Sequence, residues 1–182
     1  TGNYNVGVGT NVLAAVTTGA QNVAIGGNAL DANTTASYNT AVGDNSLSAD
    51  TTGDANEAFG YYALNANTTG TYNVAVGSRA LMANTTAANN TAVGRDALKA
   101  NTTGASGTAV GYAALDANTT GNYNVAVGQN ALGTVTTASE NTAVGTAALE
   151  QNTAGGNTAV GYLALNASTT GTGNVAVGWG SL

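Results

Sequence analysis

Asn73-Val74-Ala75-Val76-Gly77, followed by Ala80-Leu81 and then Asn84-Thr85-Thr86, is one turn of a pattern that the whole chain repeats. Its closing glycine recurs at Gly9, Gly26, Gly43, Gly60, Gly77, Gly94, Gly111, Gly128, Gly145, Gly161 and Gly178. Every step is 17 residues except the 16 between Gly145 and Gly161. Four positions after each glycine stands a leucine, from Leu13 and Leu30 through to Leu165 and Leu182. A fixed period of this kind marks a solenoid, in which each repeat is one coil that buries its apolar side by stacking on its neighbours. Residues 1–182 therefore read as a single all-β domain, a parallel β-solenoid of about eleven coils of 17 residues.

Helix does not suit the coil. Glycine falls twice in most repeats, Asn, Thr and Val are weak helix formers, and a period of 17 gives no sustained stripe at 3.6. The segment Asn-(Val/Thr)-Ala-Val alternates as a strand does, and the glycine after it permits a tight corner. A second short strand is expected over Ala-Leu-x-Ala, with Asn-Thr-Thr-Gly as the return turn. Stacked at about 4.8 Å per coil, ten steps make a rod of about 50 Å. Repeated side chains then form columns. Asn22, Asn39, Asn56, Asn73, Asn90, Asn124, Asn141, Asn157 and Asn174, with Asn5 ahead of them and Gly107 as the break, are expected to build a self-pairing amide ladder.

The strand alternation leaves two ways to face. With Val inward, the alanine before each Val-Gly forms a flat uncharged outer strip, a surface suited to close contact between chains. The reverse facing follows if a coil of this size holds nothing larger than Ala. The Val-inward register is the expectation, although Glu57, in a position otherwise Val or Thr, stands against it. Over the short period lies a longer one of about 51 residues, seen in Val23, Val74, Val125 and Val175, in Ala36, Ala87 and Ala138, and in Tyr61, Tyr112 and Tyr162. Duplication of a three-coil block and a three-coil structural unit both account for it. The pattern opens in a turn at Thr1-Gly2 and breaks off at Leu182, so a segment of a longer fibre, or a protomer with pairing ends, is expected.

Composition excludes several classes of partner. Three basic residues (Arg79, Arg95, Lys99) against nine acidic ones give a net charge of −6, so no basic stripe exists for nucleic acid or an anionic membrane. No apolar run is long enough to cross a bilayer as a helix. Hydrophobic residues make up 43% of the chain and charged ones 7%, the opposite of a disordered composition. The absence of proline suits a backbone whose N–H groups are committed to a ladder.

The residues offer no catalytic or metal constellation, and no cofactor is expected. Histidine and cysteine are absent, which removes the usual nucleophile–base pairs and zinc ligands. The carboxylates Asp31, Asp44, Asp50, Asp54, Glu57, Asp96, Asp116, Glu140 and Glu150 read as scattered outward positions without a repeating pair. The turns carry Asn-Thr-Thr instead of the aspartate of calcium-binding rolls. Asn33, Asn67, Asn84, Asn101 and Asn118 match the N-glycosylation pattern, and turn chemistry explains them equally. Tyr61, Tyr62, Tyr112, Tyr162 and Trp179, just past the corner glycine, are placed to stack on sugars or to cover a contact between chains.

The Asn-x-Ala-Val-Gly strands with a following Ala-Leu, as at Asn141-Thr142-Ala143-Val144-Gly145 and Ala148-Leu149, resemble the head repeats of trimeric autotransporter adhesins. They are also similar to the Asn-Thr-Ala-Val-Gly and Asn-Thr-Thr-Gly repeats of bacteriophage tail-fibre proteins. The resemblance covers the whole chain, although adhesin-head repeats are shorter and their turns must differ. It implies a left-handed β-roll, three chains side by side, in an extracellular fibre: a structural or adhesive element whose partners are its own copies, surface glycans or a host receptor. An alternative comes from the threonine column Thr17, Thr34, Thr51, Thr68, Thr85, Thr102, Thr119, Thr136, Thr153 and Thr169, which resembles the threonine rows of ice-binding solenoids.

Overall fold

The computed structural model describes residues 2–182, so half of the expected Thr1-Gly2 turn lies outside the described residues. Each coil contributes one strand of three residues. In chain order these are β1 Val6–Val8, β2 Val23–Ile25, β3 Thr40–Val42, β4 Glu57–Phe59, β5 Val74–Val76, β6 Thr91–Val93, β7 Thr108–Val110, β8 Val125–Val127, β9 Thr142–Val144, β10 Thr158–Val160 and β11 Val175–Val177. They form a single parallel sheet in sequence order, each strand beside the next. The register is constant: Ala24 sits beside Ala41, Ala41 beside Ala58, Ala58 beside Ala75. The fold is the stacked β-solenoid that the period dictates. The 51-residue rhythm leaves no mark on this pairing, which runs unchanged from coil to coil.

The second strand does not form. Over Ala-Leu-x-Ala the chain bends by alternating the hand of its backbone, and the leucines sit in the left-handed region with φ between 47° and 54°. The residue two places earlier is left-handed as well, as at Asn28 (53°) and Arg79 (60°). Such conformations cost L-residues about 1–2 kcal/mol each. They keep the peptide groups pointing along the rod axis, so hydrogen bonding between coils continues through the bend. The N–H groups of Leu64, Ala66 and Thr68 donate to the carbonyls of Ala80, Met82 and Thr85 at 3.0, 3.0 and 2.8 Å. Local bonds tighten the curve: Ala80 N–H donates to Gly77 O at 3.2 Å and Asn84 N–H to Leu81 O at 3.1 Å.

The corner glycines have φ between 128° and 142°, and a Cβ on Gly43 would meet Gly60 O at 2.5 Å. Both the conformation and the closeness of the next coil restrict this position to glycine.

Alanine, not valine, faces inward. From Ala24 to Ala159 the central residue of every strand is fully buried, while its flanking neighbours lie half-buried or exposed. The Val-inward expectation and its outer alanine strip are overturned. The reason is volume. The typical coil also turns a leucine, a second alanine or serine, and two asparagines toward the same narrow interior, as Leu64, Ala63, Asn56 and Asn67 do in the fourth coil. The first coil shows how little space is left. Its strand centre is Gly7, and a methyl there would lie 3.1 Å from Val12, which occupies a position that is Ala or Ser elsewhere. One side chain grew where the facing one shrank, as a close-packed interior requires.

The short repeat is absorbed outside the sheet. Thr142 pairs with Thr158 and Val144 with Val160, in register despite the 16-residue step. The missing residue is taken from the turn between Thr153 and Asn157, where Gly156 supplies the left-handed position at φ 74°.

Candidate functional site

The outer face of the sheet is where the rod meets its surroundings. Two rows of side chains run along it. One, from Val6 to Val175, carries Val or Thr, with Val at every third coil from Val23 onward, and Glu57 is its sole charge. The other, from Val8 to Val177, is Val throughout except for Ile25 and Phe59. Val93 and Val110, in the middle of the rod, are each 37% exposed, so the second row is a continuous apolar ridge. Glu57 lies on this face half-buried, and loss of water around it raises its carboxyl above the usual range.

Aromatic side chains flank the ridge. Tyr61, Tyr112, Tyr162 and Trp179 follow the corner glycines and are exposed. Tyr61 packs edge-on against the half-buried Tyr62 at 4.4 Å, and Tyr162 stacks on Trp179 at 6.2 Å. Before the strands a second exposed column appears, Tyr4, Tyr38, Tyr72 and Tyr123, each directly preceding a column asparagine. The sequence reading missed it, although the recurring Tyr-Asn pair was its signal.

Two of the three basic residues converge on one acid. Arg79 pairs with Asp96, Nε to Oδ1 and Nη2 to Oδ2, both at 2.8 Å. Arg95 approaches the same carboxylate at 3.3 Å and lies over the Tyr112 ring at 5.8 Å. Asp96 is buried by this arrangement, and Asp50 is buried completely. These two depart from the outward scatter read for the nine carboxylates: Asp96 because it stacks one coil beyond Arg79, Asp50 because it occupies an interior asparagine position. Asp116 is partly buried, and desolvation raises its carboxyl against the opposing pull of Lys99.

The interior holds two amide columns where one was expected. In the strand-side column, Asn5 to Asn174, the main bond is not amide to amide. From Asn5 to Asn157, each Oδ1 accepts the backbone N–H of the next coil's column residue, as from Asn39 to Asn22 (2.9 Å), Asn56 to Asn39 (2.8 Å) and, at the break, Gly107 to Asn90 (2.8 Å). Except at Asn141 and Asn174, Nδ2 donates to a turn carbonyl, as Asn39 does to Gly53 and Asn56 to Gly70, both at 2.8 Å. Amide-to-amide bonds accompany these at Asn22–Asn5, Asn73–Asn56 and Asn174–Asn157, each 3.1 Å. The second column is built from the Asn-Thr-Thr asparagines. Asn33, Asn67, Asn84, Asn101 and Asn118 are buried and hydrogen-bonded to one another or to turn carbonyls. In the folded rod their side chains are closed to a glycosylating enzyme.

The threonine column lies at the return corner and not on the flat strand face. Eight of its ten hydroxyls are already engaged: Thr34 Oγ1 donates to Thr51 O at 3.0 Å, Thr51 to Thr68 at 3.0 Å, Thr102 to Thr119 at 3.0 Å, and Thr17, Thr68, Thr85, Thr119 and Thr153 do likewise.

No protein-family model, no curated protein and no solved structure matches this chain. Its functional reading rests on the sequence pattern and on the faces described above.

Proposed function

We propose that this chain is a shaft or head segment of an extracellular fibre, a structural and adhesive rod that works by associating with its own copies. The observation that carries the reading is the outer ridge of Val, Ile and Phe, which runs in register along all eleven strands. Ten steps of about 4.8 Å and strands of three residues give a strip of about 50 by 10 Å, or about 500 Å², which the flanking tyrosines widen toward the roughly 800 Å² per partner of a stable protein interface. Glu57 is the one charge in the two rows, so like-charge repulsion between acidic chains is weakest here.

A second copy is the occupant that suits this face. Its rungs repeat at the same spacing, so identical side chains can interdigitate along the whole length, as in two sheets packed face to face. The valine ridge takes the place of the alanine strip as the contact surface. The flanking tyrosines extend it and offer stacking platforms for surface glycans. The adhesin and tail-fibre resemblance supplies the extracellular setting and three chains as the assembly.

Sedimentation of the wild-type chain, with electron micrographs of the same sample, tests the reading. Discrete oligomers or filaments are expected. Lysines at Val93 and Val110 should return the assembly to monomers without unfolding it, because both sites face outward. A wild-type chain that stays monomeric overturns the reading, and thermal hysteresis in that sample would transfer it to ice binding.

A further inference from the structure

The turn-side amide column is a chain of donors and acceptors that runs in one direction. Asn84 Nδ2 donates to Asn67 Oδ1 at 2.9 Å, Asn101 to Asn84 at 3.1 Å, and Asn118 to Asn101 at 2.9 Å. Asn67 Nδ2 donates in the same way to Asp50 Oδ1 at 2.8 Å. At the next rung the series stops, because Asp50 has an oxygen where its neighbours carry Nδ2. Two acceptors are left without a donor, Asp50 Oδ2 and Asn33 Oδ1, on consecutive rungs and both fully buried. The other end of the column provides a control. There Asn118 Oδ1 lacks a donor because the next rung is Val135, and that rung strands one acceptor and no charge.

We propose that Asp50 is carried in the folded rod as the neutral carboxylic acid, its Oδ2–H donating to Gly53 O, the carbonyl three residues on that Asn67, Asn84, Asn101 and Asn118 address with Nδ2 in their own rungs, so that one proton satisfies the buried Oδ2 and Asp50 stabilises the rod most in acid. A carboxylate here would set the Oδ2 lone pairs against those of Gly53 O in a fully buried position, the costliest form of an unsatisfied buried group. The acid form gives the orphaned Oδ2 a proton to donate, while Asn33 Oδ1 lies on the Gly19 side of its rung, away from Asp50. Burial pushes the Asp50 carboxyl up to about 7, against the downward pull of the bonds from Asn67 and Gly53 N–H. Of the groups facing it, Asp54 in the same turn carries charge and adds to the upward push. The rungs on either side, Asn33 and Asn67, are neutral at every pH.

The sign follows from proton counting. In the unfolded chain Asp50 loses its proton near pH 3.9, and in the rod it keeps it to about 7. Between those limits the native state binds more protons than the unfolded one at this group, so Asp50's contribution to stability is greatest in acid and is lost as pH rises through about 7. This is the reverse of a salt-bridged carboxylate.

The test compares unfolding of the whole chain, as wild type and as Asp50→Asn, across about pH 5 to 8. The wild-type midpoint is expected to fall with rising pH. Asp50→Asn supplies the missing Nδ2, so it should lose the part of that fall centred near neutrality and be the more stable chain at pH 8. Asp54→Asn, which alters an exposed carboxylate of the same turn, should keep the fall. Infrared difference spectra at about pH 6 should show a protonated-carboxyl stretch in the wild type that Asp50→Asn abolishes. A pH profile unchanged by Asp50→Asn, or no such stretch, overturns the proposal. Neither readout depends on self-association, so the fibre reading stands or falls separately.

Discussion

The two interior amide columns use the same residue for different work. On the strand side, asparagine holds ten of eleven positions, with Gly107 as the exception. On the turn side, Val16, Asp50, Val135 and Ser168 interrupt the series. The difference lies in what each Oδ1 serves. A strand-side Oδ1 accepts a backbone N–H of the next coil, a donor that has nowhere else to turn inside the rod. A turn-side Oδ1 accepts another side chain, and replacing both members removes the demand together with the supply. A column tied to the backbone is therefore held to one residue, and a column of side chains alone can drift.

Substitutions can break or sharpen that contrast. Asn73→Ala should cost the most, about 3 kcal/mol in denaturant unfolding, because it strands Asn90 N–H (3.1 Å in the native rod) and takes away one of the two donors to Ala87 O. Asn84→Ala, one turn-side rung away, should cost about 1–2 kcal/mol, since Ala87 O keeps its bond from Asn73. Equal losses at the two sites would erase the distinction. Filling the strand-side break by Gly107→Asn should raise stability by about 1 kcal/mol by giving Asn124 N–H an acceptor. The new Cβ would sit 3.1 Å from Asn90 Oδ1, close enough that a gain requires a small shift there. The smallest effect belongs to Val135→Asn, within about 0.5 kcal/mol of zero: Asn118 Oδ1 gains a donor as a buried apolar side chain is lost.

The fold was open to reading because period, strand and corner each have a local cause. Gly at the corner, Asn before the strand and Leu four places on all fall where the structure uses them. Facing was harder. In a strand of three residues the alternation has two solutions, and hydrophobicity favoured putting Val inside. Volume decided for Ala, and two residues already said so: Glu57 among the Val and Thr positions, and Gly7 compensated by Val12. The second strand failed for another reason. Leucine is rarely left-handed, and nothing in an Ala-Leu pair announces that stacking will force it there.

For the candidate surface, the aromatic cluster after the corner was legible. The valine ridge was hidden by the facing error, and the column from Tyr4 to Tyr123 passed unnoticed. Asp50 was the most readable of the misses. Ala49-Asp50-Thr51-Thr52-Gly53 is the Ala-Asn-Thr-Thr-Gly phrase with one letter changed, and alignment to its own repeats places it indoors.

The shortened ninth repeat has a bearing on how such rods can be altered. There the chain loses a residue, yet β9 and β10 stay in step, and the loss shows at Asn141 Nδ2, left without an acceptor. The return corner is thus a slack point where length can be cut without disturbing the rungs. Peptides spliced into successive corners would be carried at intervals of about 4.8 Å, a spacing finer than independent folded domains could reach. The rod is a ruler whose marks can be rewritten one at a time.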